Sequence, residues 1–336
     1  MRKIAKILLI GLLAFAMTAC SKEAAPDEKS NKLTLYSPHP AETINLIVKE
    51  FKEKTGIEVE VVAAGTGELL KRVQSEEGNP LGDVLWGGGA ESLASYTDFF
   101  EGYKSTQIDA IDSSYYDKDY KWIGESPLPM VIMYNTNLVD EASAPTSWED
   151  ILKPEFKGKI AMADPAKSGS AYTILATTVQ AFGKDAAGWD FAKNFYNNLD
   201  GKVLSSSSSV YKGVADGEYA VGLTLEKEAI KYVLNGAPVK IVYPSEGTSA
   251  VPDGVAIIKD AVNMENAKVF VDFVLSKETQ EIMAKNLSRR SIRNDVDSPE
   301  GLDALSTIKQ VDYDFNWAAS DKEAILNEWK KIVVGQ

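Results

Sequence analysis

One cysteine and one histidine in 336 residues exclude several kinds of chemistry. Cys20 has no second cysteine to pair with, so the chain carries no internal disulfide. A single histidine, His39, makes neither an H-E-x-x-H zinc motif nor, alone, a strong transition-metal site. No G-x-S-x-G accompanies it, so a Ser-His nucleophile has little to stand on. Phosphate-loop and G-x-G-x-x-G dinucleotide fingerprints are missing too. Positive charge is also in short supply, with 36 Lys and Arg against 49 Asp and Glu, a formal net charge of −13. That balance argues against nucleic acid and against charge-driven adhesion to anionic lipid. It leaves a small anionic ligand open, because a local cluster can outweigh the global sign.

Long apolar runs are equally scarce. The one that stands out, Ile7 to Met17, follows the basic Arg2, Lys3 and Lys6 and ends at Thr18-Ala19-Cys20. It is short for a bilayer span, which needs about 20 apolar residues. This pattern predicts a secretory signal over residues 1–20. A small-residue cleavage site before a lone cysteine is similar to the lipobox of bacterial lipoproteins. Cys20 is then the lipidated first residue of an exported chain, on the outer face of the cell membrane or in the periplasm. Residues 21–31, rich in Lys, Glu, Asp, Ala and Pro, have little to bury and read as a tether.

The remainder is long enough for two α/β lobes, and 44% hydrophobic residues suffice for their cores. Lys32–Tyr36 reads as a strand and Ala41–Thr55 as a helix with Ile44, Ile47, Val48 and Phe51 on one stripe. A strand at Ile57–Ala63, a helix at Glu68–Glu77 and a strand at Asp83–Trp86 follow, with Gly87-Gly88-Gly89 at that strand's carboxyl end. Further strands are expected at Pro129–Asn135, Lys159–Ala163, Lys202–Ser205, Tyr219–Leu225, Val239–Tyr243 and Asp253–Lys259. Helices are expected at Gly169–Phe182, Asp185–Leu199, Val210–Asp216, Met264–Leu275, Lys277–Asn286, Leu302–Lys309 and Asp321–Val334. This order predicts lobe 1 from residues 32–133 and 253–336 and lobe 2 from residues 134–252, with chain crossings near Met130–Tyr134 and Asp253–Ala256 acting as a hinge.

Ser168-Gly169-Ser170 follows a strand and opens a helix, so its N–H groups either seat an anion or simply carry a serine cap. Lys167 adds charge beside it. Ser208 and Ser209 repeat the arrangement at a second helix start. His39 lies between prolines at the end of the first strand, after Ser37, and reads equally as structural or as a donor to a phosphate or sugar hydroxyl. Thr66, within Gly65-Thr66-Gly67, and Gly88 stand in tight turns that are also candidate ligand walls. Arg290, in the densest basic cluster, suits bidentate recognition of an oxyanion or else solvates a helix end. Glu226 is either a hydrogen-bond acceptor for hydroxyls or a helix-starting carboxylate.

Together, Tyr36-Ser37-Pro38-His39, Lys54-Thr55-Gly56-Ile57-Glu58-Val59, Phe156-Lys157-Gly158-Lys159-Ile160 leading to Ser168-Gly169-Ser170, and Val214-Ala215-Asp216-Gly217-Glu218-Tyr219 resemble the extracellular solute-binding proteins of bacterial ABC importers. The resemblance is strongest to the type II group of ferric-ion-binding and hexose-phosphate-binding proteins. It implies an α/β, two-lobed periplasmic-binding-protein-like II fold, with central mixed sheets flanked by helices and two crossover strands as hinge. It also implies a non-enzymatic monomer without cofactor, partnered by a small anionic solute and an ABC permease. In the ferric-binding members, paired tyrosines and a carboxylate hold iron beside a histidine. The matching positions here carry Glu226, Lys227 and Gly88, so no metal is expected. The phosphate-holding positions look retained at Ser168, Gly169, Ser170, Ser208 and Thr224. A phosphorylated or phosphonate solute, such as a sugar phosphate, is the expected ligand. Ferric iron is the alternative, and an exported phosphate-ester hydrolase the distant one.

Overall fold

The first strand-helix-strand unit shows how local sequence sets the architecture. In the computed structural model, which describes residues 31–335, β1 (Lys32–Ser37) and β2 (Glu58–Ala63) pair in parallel across α1 (Ala41–Thr55). Ile44, Ile47 and Phe51 fall on the buried face of α1, and Phe51 meets Phe270 edge-on at 5.1 Å. Gly56 ends the helix at φ 74°, where a side chain would be strained, and its N–H closes on the Lys52 carbonyl. Next come α2 (Thr66–Ser75), β3 (Val84–Gly89), α3 (Ala90–Ala94), β4 (Phe100–Glu101) and β5 (Ile123–Pro127). Gly87-Gly88-Gly89 lies within β3 itself, because the strand runs three residues beyond Trp86.

After β5 the chain enters a second sheet. It consists of β6 (Met130–Asn135), β7 (Ile160–Ala161), α4 (Gly169–Ala181), α5 (Ala186–Asn198), α6 (Ser207–Ala215), β8 (Val221–Leu225), α7 (Glu226–Leu234) and β9 (Val239–Val242). The return is β10 (Pro252–Ile258), followed by α8 (Met264–Leu275), α9 (Lys277–Leu287), α10 (Phe315–Ser320) and α11 (Lys322–Val334). One sheet runs β2-β1-β3-β10-β4 with β5 on β10, and the other β7-β8-β6-β9. Both are mixed: β10 is antiparallel to β3, and β6 is antiparallel to β8 and β9 while β7 and β8 are parallel. The fold is therefore α/β and two-lobed, with mixed sheets flanked by helices.

The two crossings run side by side. Leu128 N–H donates to Val251 O, and Met130 N–H to Ser249 O, each at 3.3 Å. Thr248 Oγ1 donates to Met130 O at 2.7 Å. A pair of extended segments joined by so few bonds can twist as a hinge. The expected crossing at Met130–Tyr134 lies slightly too late, since those residues are already buried in the second sheet.

Some expectations need correction. The strand at Lys202–Ser205 reduces to a single bridge between Ala163 and Leu204, and the helix at Leu302–Lys309 to one turn at Leu305–Thr307. The C-terminal segment, assigned with lobe 1, sends Ile325 and Trp329 of α11 into the second sheet's core. The signal, Cys20 and nearly all of the tether lie outside the described residues. Among the described residues, no helix is long and apolar enough to cross a membrane.

Candidate functional site

A cavity of about 600 Å³ lies between the two sheets, and its walls are largely the starts of helices. Pro40, Gly65, Ser168, Ser206 and Leu225 all line it, and each is the residue that precedes the first turn of α1, α2, α4, α6 or α7. Only at α4 does a side chain cap that turn: Ser168 Oγ accepts from Ala171 N–H at 3.3 Å. At the other four, no side chain among the described residues caps the opening turn, although the first N–H of α7, from Glu226, donates to Pro129 O at 2.9 Å. Each helix start carries partial positive charge. Five helix starts on one cavity offer it neutral hydrogen-bond donors, the kind of surface that suits an oxyanion.

Most of the predicted residues meet here. Ser37, His39, Thr66, Gly88, Ser168, Gly169, Ser170 and Ser208 line the cavity. The serines are pre-arranged in pairs: Ser168 Oγ lies 3.1 Å from Ser170 Oγ, and Ser206 Oγ 3.0 Å from Ser208 Oγ. Ser37 is a wall residue whose hydroxyl is already committed, donating to Trp86 O at 2.8 Å and accepting from His39 N–H. Thr66 wedges between Gly88 and Gly169, and a Cβ on Gly88 would meet Thr66 Cγ2 at 2.5 Å.

Four predicted residues fall outside the wall. Ser209 turns to Ser206 Oγ at 3.0 Å, and Thr224 is buried within β8. Glu226 and Arg290 hold one another: Arg290 Nε donates to Glu226 Oε2 at 2.8 Å and Nη2 to Oε1 at 2.9 Å. Tyr243 also donates to Glu226, and Arg290 Nη1 to Asp303 O at 2.7 Å. This pair is complementary, buried and already satisfied, so neither member is free to read a ligand.

Sequence reasoning named Lys227 only as a replacement for a ferric-site tyrosine and passed over the rest of the charged floor. Lys227, Glu228 and Asp253 line the cavity; beneath them lie Glu125 and Arg289, both fully buried. Arg289 is bonded to Glu125 and lies 3.3 Å from Asp253, which Lys227 also approaches at 3.3 Å. His39 has a carboxylate at each ring nitrogen, Glu125 at 3.3 Å and Asp253 at 3.8 Å. Burial, Arg289 and Lys227 nevertheless hold it well below its usual pKa, so the ring is neutral. Burial raises the Glu125 carboxyl against the pull of Arg289 and Lys227. It would raise Asp253 as well, but the surrounding positive charge outweighs it, led by Lys227, and the carboxyl stays below its usual range.

His39, Glu125 and Asp253 place one ligand atom each within 4.8 Å of one another, which is metal-site spacing. The donor set does not fit a ferric ion. Arg289 and Lys227 already neutralise both carboxylates, and a cation added among them would be repelled. Gly88 has no room for a carboxylate. Tyr211 also lines the cavity, as a phenol whose pKa burial raises.

Behind the cavity, Thr173 of α4 donates to Glu91, whose other oxygen has no hydrogen-bond partner among the described residues. Burial pushes this carboxyl up to about 7 and the nearby Lys322 ammonium down to about 8. Between pH 4.5, the ordinary value, and about 7, the folded chain holds a proton at Glu91 that the unfolded chain has lost. That stabilisation is complete below the window and disappears as pH rises through it. Glu91→Gln, which cannot titrate, should therefore gain on the parent by up to about 1.4 kcal/mol per pH unit across this range and no further above it. Urea unfolding of both proteins at several pH values checks this; equal slopes would rule it out.

The model of the bacterial extracellular solute-binding protein family matches residues 87–316. An uncharacterized protein of Haemophilus influenzae is 32% identical over 299 residues, covering 85% of this chain and 86% of its own. The structure of the periplasmic binding protein AfuA from Actinobacillus pleuropneumoniae, with exogenous fructose-6-phosphate bound, superposes with TM-score 0.85 at 29% identity, over 90% of this chain and 98% of that one. A ferric binding protein from Campylobacter jejuni superposes with TM-score 0.77 at 25% identity, over 89% and 99%.

Proposed function

We propose, for a chain that belongs to the bacterial extracellular solute-binding proteins and serves an ABC importer as its substrate-binding protein, that the solute is a small phosphorylated or phosphonate compound, a sugar phosphate being the leading case. The observation that carries this reading is the convergence of five helix starts on one cavity, four of them without a side-chain cap. A phosphoryl group accepts many hydrogen bonds at once and matches that set of donors. The volume exceeds what inorganic phosphate needs and suits a ligand with an organic body. Lys227, Glu228 and Asp253 offer charged donors and acceptors for hydroxyl groups on that body. AfuA, solved with fructose-6-phosphate, supports the same class. The chain performs no chemistry in this reading; Cys20 anchors it by lipid, and it works as a monomer. Binding favours the form in which the lobes meet, by as much as the ligand prefers it.

A thermal-shift screen tests the proposal. Probes are hexose phosphates, phosphoglycerates, 2-aminoethylphosphonate, inorganic phosphate, free sugars and Fe(III)-citrate. A solute at about 100 times its Kd adds roughly 2.7 kcal/mol, a readily visible shift. Shifts with phosphorylated solutes and none with free sugars are expected. A shift with Fe(III)-citrate alone would replace this reading with the ferric one.

A further inference from the structure

Glycine stands at close approaches between the start of α2 and the loop that leads into α4. A Cβ on Gly65 would lie 2.3 Å from the Lys167 carbonyl oxygen, and one on Gly67 would lie 2.4 Å from the Ala166 carbonyl oxygen. On the other side of the seam, a Cβ on Gly169 would lie 2.7 Å from Thr66 Oγ1. The first two obstacles are backbone atoms, which cannot swing aside as a side chain can. None of the three glycines has the left-handed backbone that by itself demands glycine. What these positions require is the absence of a side chain.

The two segments belong to different lobes. The α2 segment follows β2 of the first sheet, and residues 166–169 follow β7 of the second. We propose that Gly67 determines closure: its bare Cα lets the Ala166 carbonyl seat against α2, and this backbone contact sets how far the lobes shut. The inference rests on reading the chain as a receptor that closes on its solute. Gly67 does not line the cavity, so it acts on the closed form without touching the ligand. It is also the second residue of α2, where alanine is the better helix former, so Gly67→Ala leaves its own lobe intact.

The partly buried Lys231 and the exposed Glu42, 3.0 Å apart, join α7 of one lobe to α1 of the other. A zero-length carbodiimide couples such a pair into an amide only while the lobes meet. Lys52 and Glu58, 2.8 Å apart within one lobe, serve as the internal control. Mass spectrometry would follow both cross-links in the parent, Gly67→Ala and Gly65→Ala, with and without glucose 6-phosphate. The expected result is a Lys231–Glu42 rate at least about tenfold slower in both variants, with the Lys52–Glu58 rate and the melting temperature of Gly67→Ala not reduced. The affinity of Gly67→Ala for glucose 6-phosphate should fall by the same factor. Rates within about twofold of the parent, or no Lys231–Glu42 product in the parent, would overturn the proposal. If glucose 6-phosphate leaves the parent rate unchanged while Gly67→Ala still slows it, closure by the glycine seam stands and only the ligand reading falls.

Discussion

Arg289→Met is expected to cost about 3–5 kcal/mol of unfolding free energy, the range for breaking a buried ion pair from one side. The guanidinium is almost fully buried and bonded to Glu125, with Asp253 at 3.3 Å. Methionine fills much of the volume but leaves two carboxylates where one cation had served both. Lys227, at 3.3 Å, still supports Asp253. Glu125 keeps only uncharged neighbours, the neutral His39 ring at 3.3 Å and the Trp86 indole, neither of which replaces a cation. Burial already raises the Glu125 carboxyl, with Arg289 the main opposing charge. Without Arg289 it rises further, so the folded variant takes up a proton that the unfolded chain lacks. The loss should therefore be largest at neutral pH or above and should shrink as pH falls toward the unfolded value. Urea melts of the parent, Arg289→Met and Arg289→Met/Glu125→Gln give the test. The double variant should recover much of the loss, because its remaining amide carries no buried charge. A single variant that loses less than about 1 kcal/mol would show that the floor is wet and screened.

The same floor shows where sequence reasoning stops. Ser168 was legible because a serine after a strand and before a helix is a local pattern, complete within a few residues. At Ser208 the pattern misled in detail, since the expected strand is a single bridge and the helix opens at Ser207, not Val210, yet the residue still lines the cavity. Helix α1 was legible end to end, since its apolar stripe and the Gly56 stop are both in the chain itself. Glu125 and Asp253 carry no such mark. In a chain with 49 acidic residues they read as surface carboxylates, and only the meeting of β5 with β10 buries them together. Arg289 and Arg290 are adjacent and chemically identical, so the choice between them depends on which way α9 ends. Ser288, at φ 51°, turns the chain there, directing Arg289 to the buried floor and Arg290 to Glu226. Glu226 and Arg290 were expected to read the ligand, but they neutralise one another away from the cavity. The glycine seam was visible as Gly65-Thr66-Gly67. Its purpose was not, because the carbonyls that require it come from a segment about a hundred residues away.

Ser168→Asp should abolish capture of phosphorylated solutes, weakening glucose 6-phosphate binding by at least about 100-fold while the fold persists. Aspartate caps a helix as well as serine does, so the bond from Ala171 N–H to Ser168 Oγ has a ready replacement. The added charge also complements the dipole of α4, and the melting temperature should hold or rise slightly. In the cavity the effect reverses. Two like charges about 4 Å apart repel by roughly 4 kcal/mol at an effective dielectric of 20, and a phosphate dianion feels this twice. Lys227 on the cavity wall and the helix starts offset part of that, which is why the expectation stops at about 100-fold. Ser168→Ala separates charge from shape: it loses one cap, worth about 1 kcal/mol, and should bind only several-fold more weakly. Calorimetric titration of all three proteins with glucose 6-phosphate decides the matter. If Ser168→Asp binds as tightly as the parent, the anion is not seated at α4. The serine pair at Ser206 and Ser208 on α6 then becomes the seat to test, by the same substitution at Ser208.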